Sequence, residues 1–378
     1  MPRLLIDATP ITRNNKGVSR YAHSLCVQLS HRLDDTWQIG VLIHPGHESM
    51  FPTTFKGEFL LVRPCAEVVK GVYWTSYWMW KWRADLLLRT NDCAGFVGLK
   101  PAIVVCHDIH EMIVQAQADM PRSWIGRGVD FIKNSLRKEV LRRSDLVICN
   151  SHFIQEEVSR FYGVPRERTA LGYCGVDTRF YAMSPLVNKK AVYEKYGVER
   201  FILTFATGDT RENFGLLPEI AWQLKQKGVE IPILIAGFDP QKPYAQKLKA
   251  SFMRYDLEEG RHYLFETFLD ESRFSELVAL YTAAACYLEL SLHEGFGMQL
   301  AEAMACGAQC FSTGCGALAE IGGSFVYDID PYIPQKIADV IEQNLSVLNT
   351  EKAFDREGQI AFTQRYTWDQ VGSVVSHF

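Results

Sequence analysis

Residues 294–307, Glu294-Gly295-Phe296-Gly297-Met298-Gln299-Leu300-Ala301-Glu302-Ala303-Met304-Ala305-Cys306-Gly307, set two carboxylates around a glycine-flanked aromatic. The two glycines permit a tight turn and a close approach of a ligand to the backbone. The run from Leu300 reads as a helix, whose first N–H groups suit an oxyanion. Glu302 then lies one turn into that helix and Glu294 in the loop before it, so both carboxylates would face one cleft. Carboxylates accept paired hydrogen bonds from vicinal hydroxyls, which makes a sugar or a ribose the natural ligand. The bland alternative is a surface helix whose glutamate complements the dipole.

In open parallel sheets ligands sit beyond the carboxyl ends of the strands, so polar residues directly after a strand are the next candidates. Ala206-Thr207-Gly208-Asp209-Thr210-Arg211-Glu212-Asn213 stands between a strand-like run and a helix from Phe214. Its glycine loop and arginine offer N–H donors, a favourable dipole end and a bidentate cation, the set a diphosphate needs. The same residues also suit an ordinary turn with a solvated arginine. Cys106-His107-Asp108 closes an apolar strand, where His107 could donate to a ligand hydroxyl, move a proton near neutrality, or be structural. Asn15-Lys16-Gly17-Val18-Ser19-Arg20-Tyr21 follows the first strand and lacks G-x-G-x-x-G, which counts against a nicotinamide oxidoreductase. Gly17 is read as letting the backbone approach a substrate.

Such loops need strands to hold them. Short apolar runs alternate with longer amphipathic ones along the whole chain, the pattern of parallel sheets wrapped by helices. The pattern predicts strands at Arg3–Asp7, Ile39–Ile43, Ala102–Cys106 and Leu146–Cys149, then at Phe201–Ala206, Ile233–Ala236, Ala285–Leu290 and Gln309–Ser312. Helices are expected near Ser19–Arg32, Val129–Arg143 and Ser151–Phe161, and near Phe214–Lys227, Arg273–Ala283 and Leu300–Cys306. The fold class is α/β, two doubly wound, Rossmann-like domains in tandem: residues 1–180, then 181–360. The join is placed at Asp177–Tyr196, around Ser184-Pro185. After a break at Arg356–Thr367, residues 361–378 carry a last helix that could cross back to the first domain.

The length of 378 residues, with 47% hydrophobic and 22% charged residues, fits two globular domains and excludes a disordered or collagenous chain. The net charge of -4 argues against nucleic-acid binding. It hides an asymmetry: 23 Lys and Arg against 18 Asp and Glu in residues 1–180, and 17 against 26 in the rest. The ten cysteines include no C-x-x-C pair and are expected to be mostly buried, reduced thiols. No leader-like N-terminus or membrane-spanning run is present in the sequence, so a cytoplasmic location is expected, with peripheral attachment at the inner face of the membrane as an extension.

Together these motifs resemble a retaining glycosyltransferase of family four, with the two-domain GT-B fold, from Asp7 to about Trp368. Glu294 to Gly307 is similar to that family's E-G-F-G-L-P-x-x-E-A-M-A-C-G signature. The Gly17 loop, His107-Asp108, Ser144-Asp145-Leu146-Val147-Ile148-Cys149-Asn150-Ser151, Gly175-Val176-Asp177 and Trp368 support it in order. The resemblance implies hexose transfer with retention from a nucleotide sugar, with UDP-glucose or a related UDP-hexose expected, in polysaccharide assembly. His107, Arg211 and Glu294 would be catalytic. Glu302 would hold the ribose hydroxyls and Glu294 those of the donor sugar. Gly295, Phe296, Gly297, Met298, Gln299 and Leu300 would line the sugar and diphosphate, and Thr207, Gly208 and Arg211 the diphosphate. Backbone near Phe268 and Leu269 would meet the base, and Gly17 with His107 would complete the sugar site from the other domain. No enzyme nucleophile is required, because the departing phosphate can take the acceptor's proton on the same face, and helix-end dipoles and positive charge would stabilise that leaving group. No cofactor and no metal are expected; Asp328-Ile329-Asp330 is nominally D-x-D but lies far along the sequence from the phosphate motif.

Two residues depart from the pattern. Glu212 stands where the family commonly has the lysine of R-K-N, so it either points away, is compensated by another cation, or slows turnover. Gln299 replaces the usual proline. Both motivate the alternative of a nucleotide-sugar-binding protein with little transferase activity. The acceptor, a saccharide or lipid-linked saccharide, is expected on the first domain. There Trp74, Trp78 and Trp82 would share a helical face, for sugar stacking, a membrane interface or core packing. Residues 122–143 carry seven basic against two acidic side chains, suited to an anionic membrane surface or simply to solvent.

Overall fold

The computed structural model describes residues 1–12, 17–33, 36–66, 69–92, 101–109, 124–181, 185–267, 271–346 and 354–378. Two compact units divide the chain: Met1–Gly175 with Tyr366–Phe378, and Val176–Arg365.

In the first unit, β1 (Arg3–Asp7), β2 (Gln38–Ile43), β3 (Glu58–Leu61), β4 (Leu86–Arg89), β5 (Ala102–Cys106), β6 (Leu146–Cys149) and β7 (Thr169–Leu171) form one sheet of order β3-β2-β1-β4-β5-β6-β7. Every pairing is parallel. Helices α1 (Gly17–Arg32), α2 (Thr75–Lys81), α3 (Trp124–Arg143) and α4 (His152–Glu157) connect the strands. Leu4, Leu5, Ile6, Leu88 and Val104 are at most 1% exposed, because a parallel sheet covered on both faces leaves no strand side for water. Burying each such side chain stabilises the fold by about 1.5–3 kcal/mol.

The second unit repeats the arrangement. Strands β8 (Ile202–Phe205), β9 (Ile233–Ala236), β10 (Tyr263–Phe265), β11 (Cys286–Glu289), β12 (Cys310–Ser312) and β13 (Val326–Asp328) are ordered β10-β9-β8-β11-β12-β13, again parallel. Its helices are α5 (Pro185–Tyr196), α6 (Leu217–Gln226), α7 (Pro243–Arg254), α8 (Phe274–Ala283), α9 (Met298–Ala305), α10 (Leu318–Gly322), α11 (Pro334–Ser346) and α12 (Arg356–Thr363). The last helix, α13 (Trp368–Ser376), belongs to the first unit and packs on α1. Arg32 and Asp369 pair there at 2.6 Å. Gly175 makes room for Trp368: a Cβ at that glycine would stand 2.5 Å from the Trp368 backbone nitrogen and indole Cγ.

Two helices lie in stretches the sequence reading took for a join and a break. The stretch read as a join at Asp177–Tyr196 contains helix α5, with Pro185 at its first position, where a missing N–H costs nothing. The break at Arg356–Thr367 contains α12, capped by the Asp355 carboxylate accepting the Gly358 N–H at 2.8 Å.

Candidate functional site

In the second unit, the two loops singled out by sequence follow neighbouring strands. β8 pairs with β11 where the strand order changes direction, so both loops leave the carboxyl edge at the topological switch point. They are tied together by the Leu292 N–H, which donates to the Arg211 carbonyl at 2.8 Å.

After β8, a short 3-10 turn spans Thr210–Glu212. Asp209 caps it, accepting the Arg211 N–H at 2.9 Å, and also receives the guanidinium, with Nη2 2.8 Å from Oδ2. Burial raises the Asp209 carboxyl, but the hydrogen bonds from Arg211 outweigh it and hold the group below its ordinary range. Arg211 is thereby oriented within its own turn. Glu212 does not point away from the loop. Its Oε2 accepts the Thr207 N–H at 2.8 Å and the Gly208 N–H at 3.2 Å, and its Oε1 accepts the Thr207 hydroxyl at 2.6 Å. Burial pushes the Glu212 carboxyl up; the Thr207 hydrogen bonds oppose this, and the nearby Asp209 and Glu289 charges add to it. The loop's N–H donors are therefore engaged by a carboxylate.

After β11, Glu294 is half-buried and its backbone is clamped. Its carbonyl accepts the Ala317 N–H at 2.9 Å. Gly316, at φ +67, runs so close that a Cβ there would stand 2.5 Å from the Glu294 oxygen and 2.8 Å from its nitrogen. Phe296 is a core residue, 3% exposed, and the position a Gly297 Cβ would take is already crowded by Leu318 at 2.6 Å. Gly297 therefore serves the turn and the packing of α10. Helix α9 begins at Met298, two residues before the position read from sequence, and no side chain caps it. Helical bonding starts with the Ala301 N–H on the Gly297 carbonyl at 3.1 Å, so the amides of Met298, Gln299 and Leu300 belong to the open first turn. Met298 and Gln299 are half-buried and Leu300 is buried. Glu302 is 4% exposed in the second turn, with Oε2 accepting the Tyr281 hydroxyl at 3.1 Å. Phe268 and Leu269 lie outside the described residues.

In the first unit the sheet changes direction between β1 and β4, and polar residues gather at that edge too. Gly17 is the exposed first residue of α1. His107, after β5, has Nε2 2.8 Å from the Thr90 carbonyl. A carbonyl only accepts, so Nε2 carries the proton and the neutral ring's Nδ1 is an acceptor. Burial lowers the His107 pKa, against the Thr90 hydrogen bond and the Asp92 and Asp108 charges. Of the alternatives read from sequence, this arrangement suits moving a proton rather than donating to a ligand hydroxyl. Asn150, after β6, donates to the His107 carbonyl at 3.1 Å.

The acceptor-side candidates divide. Trp74, Trp78 and Trp82 pack on the core formed by Leu5, Leu42, Leu60, Val62 and Met79, which is the core alternative. In the same stretch Tyr73 and Trp80 are exposed, at 58% and 78%. On α3, Arg137 pairs with Asp92 at 3.3 Å, and Arg142 and Arg143 with Glu139 at 3.4 and 3.0 Å, so three of the basic residues already have carboxylates. Arg122 lies outside the described residues. Asp330 spends its carboxylate on the Tyr332 and Ile333 N–H groups and on Lys336. Among the described residues no cluster of His, Cys, Asp or Glu could hold a metal. Most described cysteines are buried; Cys65 is exposed and Cys315 half-buried.

Sequence reasoning missed Tyr281, Gly316 and Glu289. Glu289, the last residue of β11, is 8% exposed and accepts the Tyr287 hydroxyl at 2.7 Å. A carboxylate ending an apolar strand was the available signal for it; nothing local marks Tyr281.

Two Rossmann-like parallel sheets in tandem, with glycine loops at the switch point of the second, are the GT-B architecture. Residues 16–180 match the family model described as Glycosyltransferase Family 4, and residues 188–360 match that of Glycosyl transferases group 1. The chain has the GT-B fold, and each of its two halves matches a glycosyltransferase family model. It is similar to the serotype-specific mannosyltransferase WbdA of Escherichia coli, 25% identical over 280 residues, 70% of this chain and 32% of that protein. The chain thus spans about a third of the length of that relative. Among solved structures, sucrose-phosphate synthase from Thermosynechococcus elongatus superposes with TM-score 0.74 at 17% identity, covering 100% of this chain and 98% of the other. Anabaena Alr3699/HepE in complex with UDP-glucose gives 0.73 at 16%, covering 100% of both chains.

Proposed function

We propose that the chain transfers a hexose with retention from a nucleotide sugar, UDP-glucose or a related UDP-hexose, to a saccharide or lipid-linked saccharide during polysaccharide assembly. The observation that carries this reading is the pair of loops at the β8/β11 switch point. One presents Arg211 and Thr207-Gly208; the other presents Glu294 and the open first turn of α9, with buried Glu302 behind it. Arg211 and the α9 amides suit a departing diphosphate, a developing anion best stabilised by fixed donors. Glu294 suits sugar hydroxyls and Glu302, oriented by Tyr281, ribose hydroxyls. The phosphate leaving group can itself take the acceptor's proton, so no cofactor, metal or enzyme nucleophile is invoked. The relative's mannosyl specificity and the UDP-glucose of the HepE complex make both UDP-glucose and GDP-mannose donors to assay.

The test is calorimetry with UDP and GDP, followed by donor hydrolysis and transfer by wild type and Glu294→Ala. Turnover lost in the variant supports the reading; binding of neither nucleotide overturns it. The second reading, a nucleotide-sugar-binding protein with little turnover, is favoured by one observation, the Glu212 carboxylate seated on the Thr207 and Gly208 amides. Robust wild-type turnover removes it. A cytoplasmic protein meeting a lipid-linked acceptor would also touch an anionic membrane surface, and exposed Phe131 and Ile132 beside Lys133 suit that contact. Flotation with anionic vesicles checks it, salt-sensitive binding being expected.

A further inference from the structure

We propose that Glu212 is a built-in occupant of the diphosphate subsite: its carboxylate holds the Thr207 and Gly208 N–H groups, and a diphosphate reaches those donors only as Glu212 gives them up and takes a proton from solvent. The inference rests on the donor-site reading above and goes further, by giving the site a competitor and a proton.

The geometry is that of a bound anion. Two successive backbone N–H groups and a hydroxyl converge on one carboxylate, at 2.8, 3.2 and 2.6 Å. Such paired amides after a strand are the donors a phosphate oxygen uses. The cradle is rigid: Gly208 has φ +96, and the Tyr244 ring backs it so closely that a Cβ at Gly208 would lie 2.5 Å from two ring carbons. Tyr244 is itself fixed, donating to the Ala206 carbonyl at 3.2 Å and accepting the Asp239 N–H at 2.8 Å.

The charges around Glu212 set the direction of the proton. From its own turn it faces Asp209, which is paired with Arg211; from β11 it faces Glu289; from α7 it faces the Tyr244 phenol. Burial pushes the carboxyl up before any ligand is considered. A diphosphate adds like charge and removes the hydrogen bonds that favoured the ionised form, so the carboxyl rises further on binding. A group whose pKa rises on binding takes up a proton, so affinity increases as pH falls from the bound-state pKa to the lower ligand-free one, and is level outside that window.

The experiment is calorimetry of the whole chain with UDP, GDP and inorganic pyrophosphate at mildly acidic and mildly alkaline pH. Each titration is run in buffers of different ionisation enthalpy, for wild type, Glu212→Gln and Glu212→Ala. The diphosphate's own titration is common to all three proteins and cancels in the comparison. Wild type is expected to take up more protons than Glu212→Gln, and both variants to bind about tenfold tighter at alkaline pH, one pH unit of linkage. Equal proton uptake in wild type and Glu212→Gln, or weaker binding by both variants, overturns the proposal. Pyrophosphate binding with this signature but no nucleotide binding supports it and removes the nucleotide-sugar reading. Nucleotide binding indifferent to Glu212 does the reverse, and no binding of any probe overturns both.

Discussion

A carboxylate that receives hydroxyl groups must be held still, and Glu302, Glu294 and Glu212 are held differently. Glu302 is oriented by Tyr281 from another helix. Tyr281→Phe leaves a buried acceptor short of a donor, at a cost of about 1–3 kcal/mol. It is expected to raise the donor KM several-fold with kcat little changed, as steady-state kinetics would register. Glu294 is held through its backbone, so Glu294→Ala is expected to fold normally and to lose about a hundredfold in kcat, as removal of one preorganised polar contact does elsewhere; unchanged kcat would take Glu294 out of the site. Glu212→Lys is expected to tighten diphosphate binding, read by the same calorimetry. Spacing made Glu294, Glu302, Thr207 and Arg211 legible. Glu212 was legible as an odd residue but not as a plug, because the choice between water and loop amides is a rotamer choice set by burial.

At the scale of elements, strand ends position the chemistry and glycines set how closely the loops pass. Gly316→Ala drives a Cβ into the Glu294 backbone at a positive φ, at a cost of at least about 1–2 kcal/mol. It is expected to lower turnover with little change in nucleotide affinity, a split that kinetics and calorimetry together would detect. Helix α5 is tied to β10 and α8 by Lys195, which lies 2.8 Å from Glu266 and 2.6 Å from Glu276. Tyr196 also donates to Glu266, and Arg273 lies 3.1 Å from it. Burial alone would raise Glu266, but these partners bring it down to about 2, from an ordinary 4.5. A depressed carboxyl stabilises the fold above 4.5 and loses that contribution as pH falls toward 2. The stability gap between wild type and Glu266→Gln is therefore expected to shrink over that window in denaturant melts. The elements missed from sequence share a cause. Four of the five missed strands, β3, β7, β10 and β13, are sheet edges of only three or four residues, too short to show a period. β4 is central but offers only three leucines before Arg89.

For the whole molecule, the last residues of the chain complete its first unit. Trp368 stacks edge-on against Tyr21 at 5.6 Å and fills the space left by Gly175. Trp368→Ala is expected to destabilise that unit by up to about 3 kcal/mol, seen as an earlier thermal transition. The second half, with 17 basic against 26 acidic residues, cannot draw in a diphosphate by its overall field. Any anion site there rests on Arg211 and oriented amides, which act over a few ångströms. The sequence by itself determined two doubly wound sheets, the loops that carry the chemistry and the residue types within them. Those depend on periodicity and on local backbone chemistry, interactions a few residues long. Only the tertiary structure decided that Tyr281 serves Glu302, that Gly316 clamps Glu294, that Trp74, Trp78 and Trp82 pack on the core and that Glu212 sits on the loop amides. Each of those outcomes turns on which buried polar group finds a partner, and burial is settled by the packing of distant segments.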